Sequence, residues 1–189
     1  MTLSQQVLDL AIKIQQVPAP TFAEGPRGEF VRDLFIQEKL LDVSMDSLGN
    51  VYARLPGKQK KAKALIVSAH LDTVFPAGTK LQIREEAGKV FGPGIGDNSI
   101  GVAALFGILW TIRERKIELK HDVWFVANVG EEGLGDLRGM RGVVERFGDD
   151  EIGYLVLEGL ALGHVYHRAI GVRRYRIAAK TRGGHSWSD

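Results

Sequence analysis

The stretch "ALIVSAHLDTVFP", residues 64–76, opens on the apolar run Ala64 to Val67 and runs into His70 and Asp72, two apart. A short apolar run closed by polar residues predicts a β-strand buried on both faces. Working outward, "DNSIGVAALFGILWTIRER" predicts an apolar helix, "HDVWFVANVG" a second strand, "LRGMRGVVERFG" a short helix and "EIGYLVLEG" a third strand. Strands that alternate with helices, each apolar enough to be covered on both faces, predict an α/β fold. Its form is a three-layer sandwich with a central mixed, mostly parallel sheet between helices.

Upstream, Leu3, Val7, Leu10, Ala11, Ile14 and Val17 recur at helical spacing, with Thr2 and Gln5 placed as a capping box. That helix runs to about Val17, where "PAP" at 18–20 stops it. A second helix is expected from Pro26 to Leu41, and "DVSMDSLGNVYARLPG" predicts a hairpin turning at Gly49-Asn50. After Gly163 the pattern changes to the long alternating stretch "HVYHRAIGVRRYRIAAKTRGG". This predicts the first strands of a smaller α+β domain, with a boundary near 163–170. Residues 1–166 then belong to one domain and 167–189 begin another. Trp110 and Trp124 lie inside apolar elements and are expected in the core, and Trp187 is expected as a packing residue of the second domain.

The composition narrows the chemistry. The 189 residues are 44% hydrophobic and 25% charged, which is globular rather than disordered. A net charge of +2, from 25 basic against 23 acidic residues, gives no electrostatic footprint for nucleic acid. The basic run "GKQKKAK", residues 57–63, reads as a solvated turn. With no cysteine, disulfides and thiolate ligands are excluded, so a metal would be held by His, Asp and Glu. The N-terminus resembles no export signal and no stretch is expected to approach a membrane span of roughly 20 apolar residues, which points to the cytoplasm.

In open α/β sheets the functional residues gather at the carboxyl ends of the strands. Four places here meet that description: His70 and Asp72 after the first strand, Asp97 at the start of the long helix, Glu131 and Glu132 after "VWFVANVG", and Glu158 after "YLVL". Each alone has a plain explanation: a loop histidine, a helix cap at Asp97, a solvated Glu-Glu turn. Glu158 resists one, because its strand is expected to be central, where an unpaired carboxylate is costly. Taken together the carboxylates would repel at one sheet edge by roughly 1 to 4 kcal/mol per pair at about 4 Å. A divalent cation removes that penalty. One imidazole with several carboxylates suits zinc, manganese or cobalt. Asp72 is placed to orient the His70 ring, and Glu131 to act as general base towards water, so hydrolysis is the natural reaction. The glycine-rich run at 92–101 lacks the Lys-Ser/Thr of a P-loop, and neither His-Glu-x-x-His nor Gly-x-Ser-x-Gly occurs.

The stretches "SAHLDTV", "GPGIGDNSIGVAAL", "VGEEGLGDLRG", "LVLEG" and "TRGGHSWSD" resemble, in order, those of the co-catalytic zinc exopeptidases, the family of peptidase T, carnosinase, acetylornithine deacetylase and the glutamate carboxypeptidases. The peptidase T-like branch is the most similar. The resemblance implies two divalent ions, most simply zinc. His70 and Glu158 would hold one, Asp97 would bridge, and Glu132 would hold the other. Glu131 would be the general base and Asp72 the orienting residue. It also implies a small peptide as substrate, a homodimer formed through the lid domain, and a role for His185 in the partner's active site. Family members carry a further metal-binding histidine far downstream and are about twice as long. The expectation is therefore the N-terminal half of such an enzyme, a fragment inactive by itself. The alternatives are an amidohydrolase of N-acyl amino acids using the same metals, and a non-catalytic peptide-binding module.

Overall fold

The computed structural model describes residues 1–59, 63–159, 162–185 and 187. The first helix, α1 (Leu3–Gln15), is capped by Thr2, whose hydroxyl accepts the Gln5 backbone N–H at 3.3 Å. The reciprocal half of the capping box is not made, because the Gln5 side chain donates to Asp9 instead. Helix α2 (Gly25–Gln37) follows, with Pro26 in its first turn, where a missing N–H costs nothing. The expected hairpin is β1 (Leu41–Met45) and β2 (Val51–Leu55). Its turn is organised by Asp46, whose Oδ1 accepts the N–H groups of Leu48, Gly49 and Asn50, each at 2.9 Å.

Strand β3 (Leu65–His70) is the quoted apolar run. It is followed by a small hairpin, β4 (Arg84–Glu86) and β5 (Lys89–Phe91), then α3 (Ile100–Glu114), β6 (Val123–Asn128), α4 (Arg138–Phe147) and β7 (Gly153–Val156). The main sheet has the order β1-β2-β6-β3-β7. The pairs β6–β3 and β3–β7 are parallel, whereas β1–β2 and β2–β6 are antiparallel. All strands but β2 therefore point the same way.

Side chains alternate cleanly between the two faces, as the strand period of two requires. Val51, Ala53, Val67, Ala69, Phe125 and Ala127 pack against α1, α2 and α3, while Tyr52, Ile66 and Val126 pack against Val143 of α4. The result is the expected three-layer arrangement. The run Ile95–Glu114 is 20 residues long and apolar enough to cross a membrane by length and composition, contrary to the expectation that no stretch comes near that size. Here it is a core helix, half buried against the sheet.

Three further expectations need correction. Strand β7 bonds only to β3 and lies at the sheet edge, not its centre, so Leu155 and Val156 are about half exposed. Residues 164–185 carry no helix or strand, although their alternation predicted strands. Trp187 is 92% exposed rather than packed. Lys60, Lys61 and Ala62 of the basic turn, Leu160 and Ala161, and Ser186, Ser188 and Asp189 of "GGHSWSD" lie outside the described residues.

Candidate metal centre

Parallel pairing sets His70 of β3 opposite Asn128 of β6 and Ser68 opposite Val156 of β7. Two residues past Val156, Glu158 therefore stands level with His70. The strands stop together, and the residues that follow them share one edge.

The His70 ring is buried, with Nδ1 at 3.0 Å from the backbone carbonyl oxygen of Asp72. A carbonyl can only accept, so the proton sits on Nδ1 and Nε2 faces the site. Asp72, the residue expected to orient the ring, makes this closer contact through its main-chain oxygen, with its carboxylate 3.5 Å from Nδ1. That carboxylate also accepts the Glu131 N–H on Oδ1, and the Glu132 N–H and Thr21 hydroxyl on Oδ2, all at 3.0 Å. Burial alone would raise its pKa. His70 and the two N–H groups outweigh burial and hold it down to about 2.

On the other side, His70 Nε2 is 3.0 Å from Asp97 Oδ1 and 3.6 Å from Glu158 Oε1. Asp97 is not the helix cap. The Asn98 side-chain oxygen accepts the Gly101 N–H at 3.0 Å, while its amide donates to the Leu157 carbonyl at 2.8 Å. Asn98 thus ties the start of α3 to the end of β7 and leaves the Asp97 carboxylate for the site. Glycine at 159 is required here, since a Cβ would collide with the Gly96 carbonyl oxygen.

Ligand atoms of His70, Asp97 and Glu158 all lie within 4.8 Å of one another, as do those of His70, Glu131 and Glu132. Five carboxylates, counting Asp72, surround one imidazole. Burial and then the neighbouring acids raise the pKa of both Glu131 and Glu132, with His70 opposing. Burial lowers the His70 pKa, yet hydrogen bonds to Asp72, Asp97 and Glu158 overcome it and carry the ring up to about 12. A field that strong towards a proton suits a divalent cation equally, and an outward-facing imidazole nitrogen with carboxylate oxygens is a donor set for zinc or manganese. His185 belongs to neither grouping; its Nδ1 accepts the Trp187 N–H at 3.2 Å.

Several supporting residues escaped the sequence reading. Glu24 is buried, and its Oε1 accepts the Gly130 N–H at 3.0 Å while both its oxygens take Arg138 Nη2 at 3.0 Å. Arg27, 1% exposed, donates to the carbonyls of Val17 at 2.8 Å and of Leu71 at 2.7 Å. Burial lowers its pKa to about 10, against the pull of Asp72. The available signal was the pair of charges on the first turn of α2, on the side its apolar residues mark as inward.

The model of peptidase family M28 matches residues 50–155, the span from β2 through the end of β7. The chain belongs to that family. No curated protein sequence matches it. Among solved structures the fold is similar to aminopeptidase PepT from Bacillus cereus, with a TM-score of 0.69, 22% identity, and coverage of 82% of this chain and 43% of that one. A tripeptidase from Staphylococcus aureus gives 0.67 and 23%, covering 83% and 44%. An aminopeptidase from the archaeon Desulfurococcus kamchatkensis gives 0.61 and 16%, covering 87% and 66%. The chain thus spans under half the length of the first two. The resemblance drawn from the motifs is borne out for family and fold.

Proposed function

We propose that this chain forms the metal-binding portion of a peptidase that cleaves small peptides, of aminopeptidase or di- and tripeptidase type. The observation that carries the reading is the convergence of one outward-facing imidazole nitrogen with the carboxylates of Asp97, Glu131, Glu132 and Glu158 at a single sheet edge. His70, Asp97 and Glu158 would hold one divalent cation, and Glu132, with Asp97 bridging, a second; zinc fits the donors. When bound, such a pair polarises a scissile carbonyl and lowers the pKa of water towards about 7.

Glu131 does the proton transfer. Its raised pKa brings a carboxylate closer to the working pH, so it accepts the proton of the attacking water and passes it to the departing amine. Asp72 fixes where Glu131 and Glu132 sit, through their N–H groups, and its backbone carbonyl fixes the tautomer of His70. A hollow of about 540 Å³ beside Glu132, walled by Phe22, Val74, Phe75 and Leu134, gives room for an apolar substrate side chain. Residues 167–189 are retained in this proposal as the start of a lid and dimer-forming segment, with His185 reaching the partner's site.

The test pairs metal content with hydrolysis. Purified protein with added zinc is assayed on free di- and tripeptides and on N-acetyl amino acids, beside Glu131→Ala. Peptide cleavage only in the unsubstituted protein, with zinc bound to both, supports the reading. Cleavage of the acetylated substrates alone would replace peptidase by amidohydrolase, and folded protein with no zinc would sink the metal site.

A further inference from the structure

The turn after β6 is held in an unusual way. Three successive backbone N–H groups, those of Gly130, Glu131 and Glu132, each donate at 3.0 Å to a buried carboxylate oxygen. Glu24 takes the first and Asp72 the other two. Asp72 comes from the site's own strand, whereas Glu24 comes from the loop between α1 and α2. It is more than a hundred residues away in sequence and belongs to neither metal-ligand grouping.

Glu24 is itself clamped. Arg138 Nη2 reaches both its oxygens, and the Arg138 guanidinium lies 4.6 Å over the Phe22 ring. The glycine between them is tight: a Cβ on Gly130 would meet the Arg138 side chain at 2.7 Å. A carboxylate that is 4% exposed needs a compensating cation, and Arg138 provides it; the second terminal nitrogen of Arg138 is buried with no hydrogen-bond partner among the described residues. A cation with a donor left over is not placed to satisfy itself. Its position makes sense as the fixed counter-charge of Glu24.

We propose that Glu24 and Arg138 are positioning residues for the Glu131–Glu132 turn, and that their ion pair sets the angle at which Glu132 meets its cation and Glu131 the water. This deepens the peptidase reading and rests on it. The His70, Asp97 and Glu158 grouping receives no hydrogen bond from this pair, so the two halves of the site should respond differently to its loss.

Zinc titration by calorimetry on the metal-stripped full chain, with thermal melting and peptide kinetics alongside, tests this in Glu24→Gln, Arg138→Lys and Arg138→Met. Partners that orient metal-binding groups typically alter affinity or activity by roughly 10- to 100-fold. The expected result is that Glu24→Gln keeps one zinc at unchanged affinity and weakens the other by about that factor. kcat should fall with KM little changed. Arg138→Met should match it, and Arg138→Lys, which keeps the charge but loses the fork, should recover part of the loss. Variants that bind both ions as the unsubstituted chain does, with unchanged kcat, would overturn the proposal. So would variants that lose both ions in step with a lowered Tm, which marks a merely structural pair. If Glu24→Gln does not fold, Arg138→Lys alone decides by the same readouts. An unsubstituted chain that takes up no zinc overturns the peptidase reading as well, whereas two ions bound equally by chain and variants overturn only this proposal.

Discussion

The two sides of the His70 ring are built by different means. On the Nδ1 side lies Asp72, fully buried, and the turn it holds is also held by Glu24, 4% exposed; both carboxylates are engaged by backbone N–H and side-chain donors. On the Nε2 side the Asp97 and Glu158 side chains are 41% and 40% exposed and lie 3.0 and 3.6 Å from that one nitrogen. The buried side is organised by the fold itself and persists without any ion. The open side brings like charges together beside an edge strand, which is stable only if a cation or a proton answers them. Rigid support under one half and mutual repulsion in the other is how a fold can hold a metal site ready before the metal arrives.

Substitutions that cross this divide should show it, beginning with the residue common to both halves. His70 Nε2 would hold one of the two proposed cations, so His70→Ala should weaken that ion by more than the roughly 100-fold that outer partners reach. Competition with a coloured chelator would measure it, with one ion lost and the other retained at Glu132, and two ions bound as tightly as by the unsubstituted chain would contradict the place given to His70.

A smaller contrast separates the halves by stability. Asp72→Ala leaves the Thr21 hydroxyl and the Glu131 and Glu132 N–H groups without their acceptor, at a cost on the order of 3 kcal/mol or more. Glu158→Ala, on the open side, should change the metal-free stability by no more than about 0.5 kcal/mol, because its repulsion with the neighbouring acids offsets its contact with the His70 ring. Urea unfolding of both variants would compare them, and equal losses would erase the distinction.

The gentlest effect is in the pH dependence. The Asp72 carboxyl is held down to about 2, below the ordinary carboxylate range, so its stabilisation is complete above the unfolded value and is lost as the pH falls towards about 2. Glu131 and Glu132 are shifted the other way, so their charged forms cost stability at neutral pH and that cost is relieved as they protonate. Metal-free Asp72→Asn should therefore lack the wild-type decline on the acid side. Added zinc should raise Tm more at neutral pH than near pH 3, and a zinc effect independent of pH would contradict the electrostatic role given to the pair.

Much of this was legible because it rests on periodicity. The apolar runs at β3 and β6 and the helix at α3 stand out in the sequence, and a carboxylate just past a strand end has few other reasons to recur. What stayed hidden depends on neighbours that periodicity does not name. An apolar run such as "YLVL" reads alike at the edge of a sheet and at its centre, so the exposure of β7 could not be seen. The β4–β5 hairpin has exposed, charged strands with no alternation to betray it. Asp97 read by itself as a helix cap, and only the bonds of Asn98 to Gly101 and Leu157 show that its neighbour takes that place and leaves Asp97 for the site. Glu24 and Arg138 lie in loop and helix start, where charged residues are ordinary, and their burial follows from the docking of segments far apart in sequence.

The two-cation site proposed for this sheet edge is tested most directly by an anomalous scattering map at the zinc absorption edge from crystals grown with zinc. Two peaks are expected, one against His70 Nε2 with Asp97 and Glu158, the other against Glu132, with Asp97 between them. Well-ordered His70 and Glu132 side chains with no peak beside them, or zinc found only at surface carboxylates elsewhere, would contradict it.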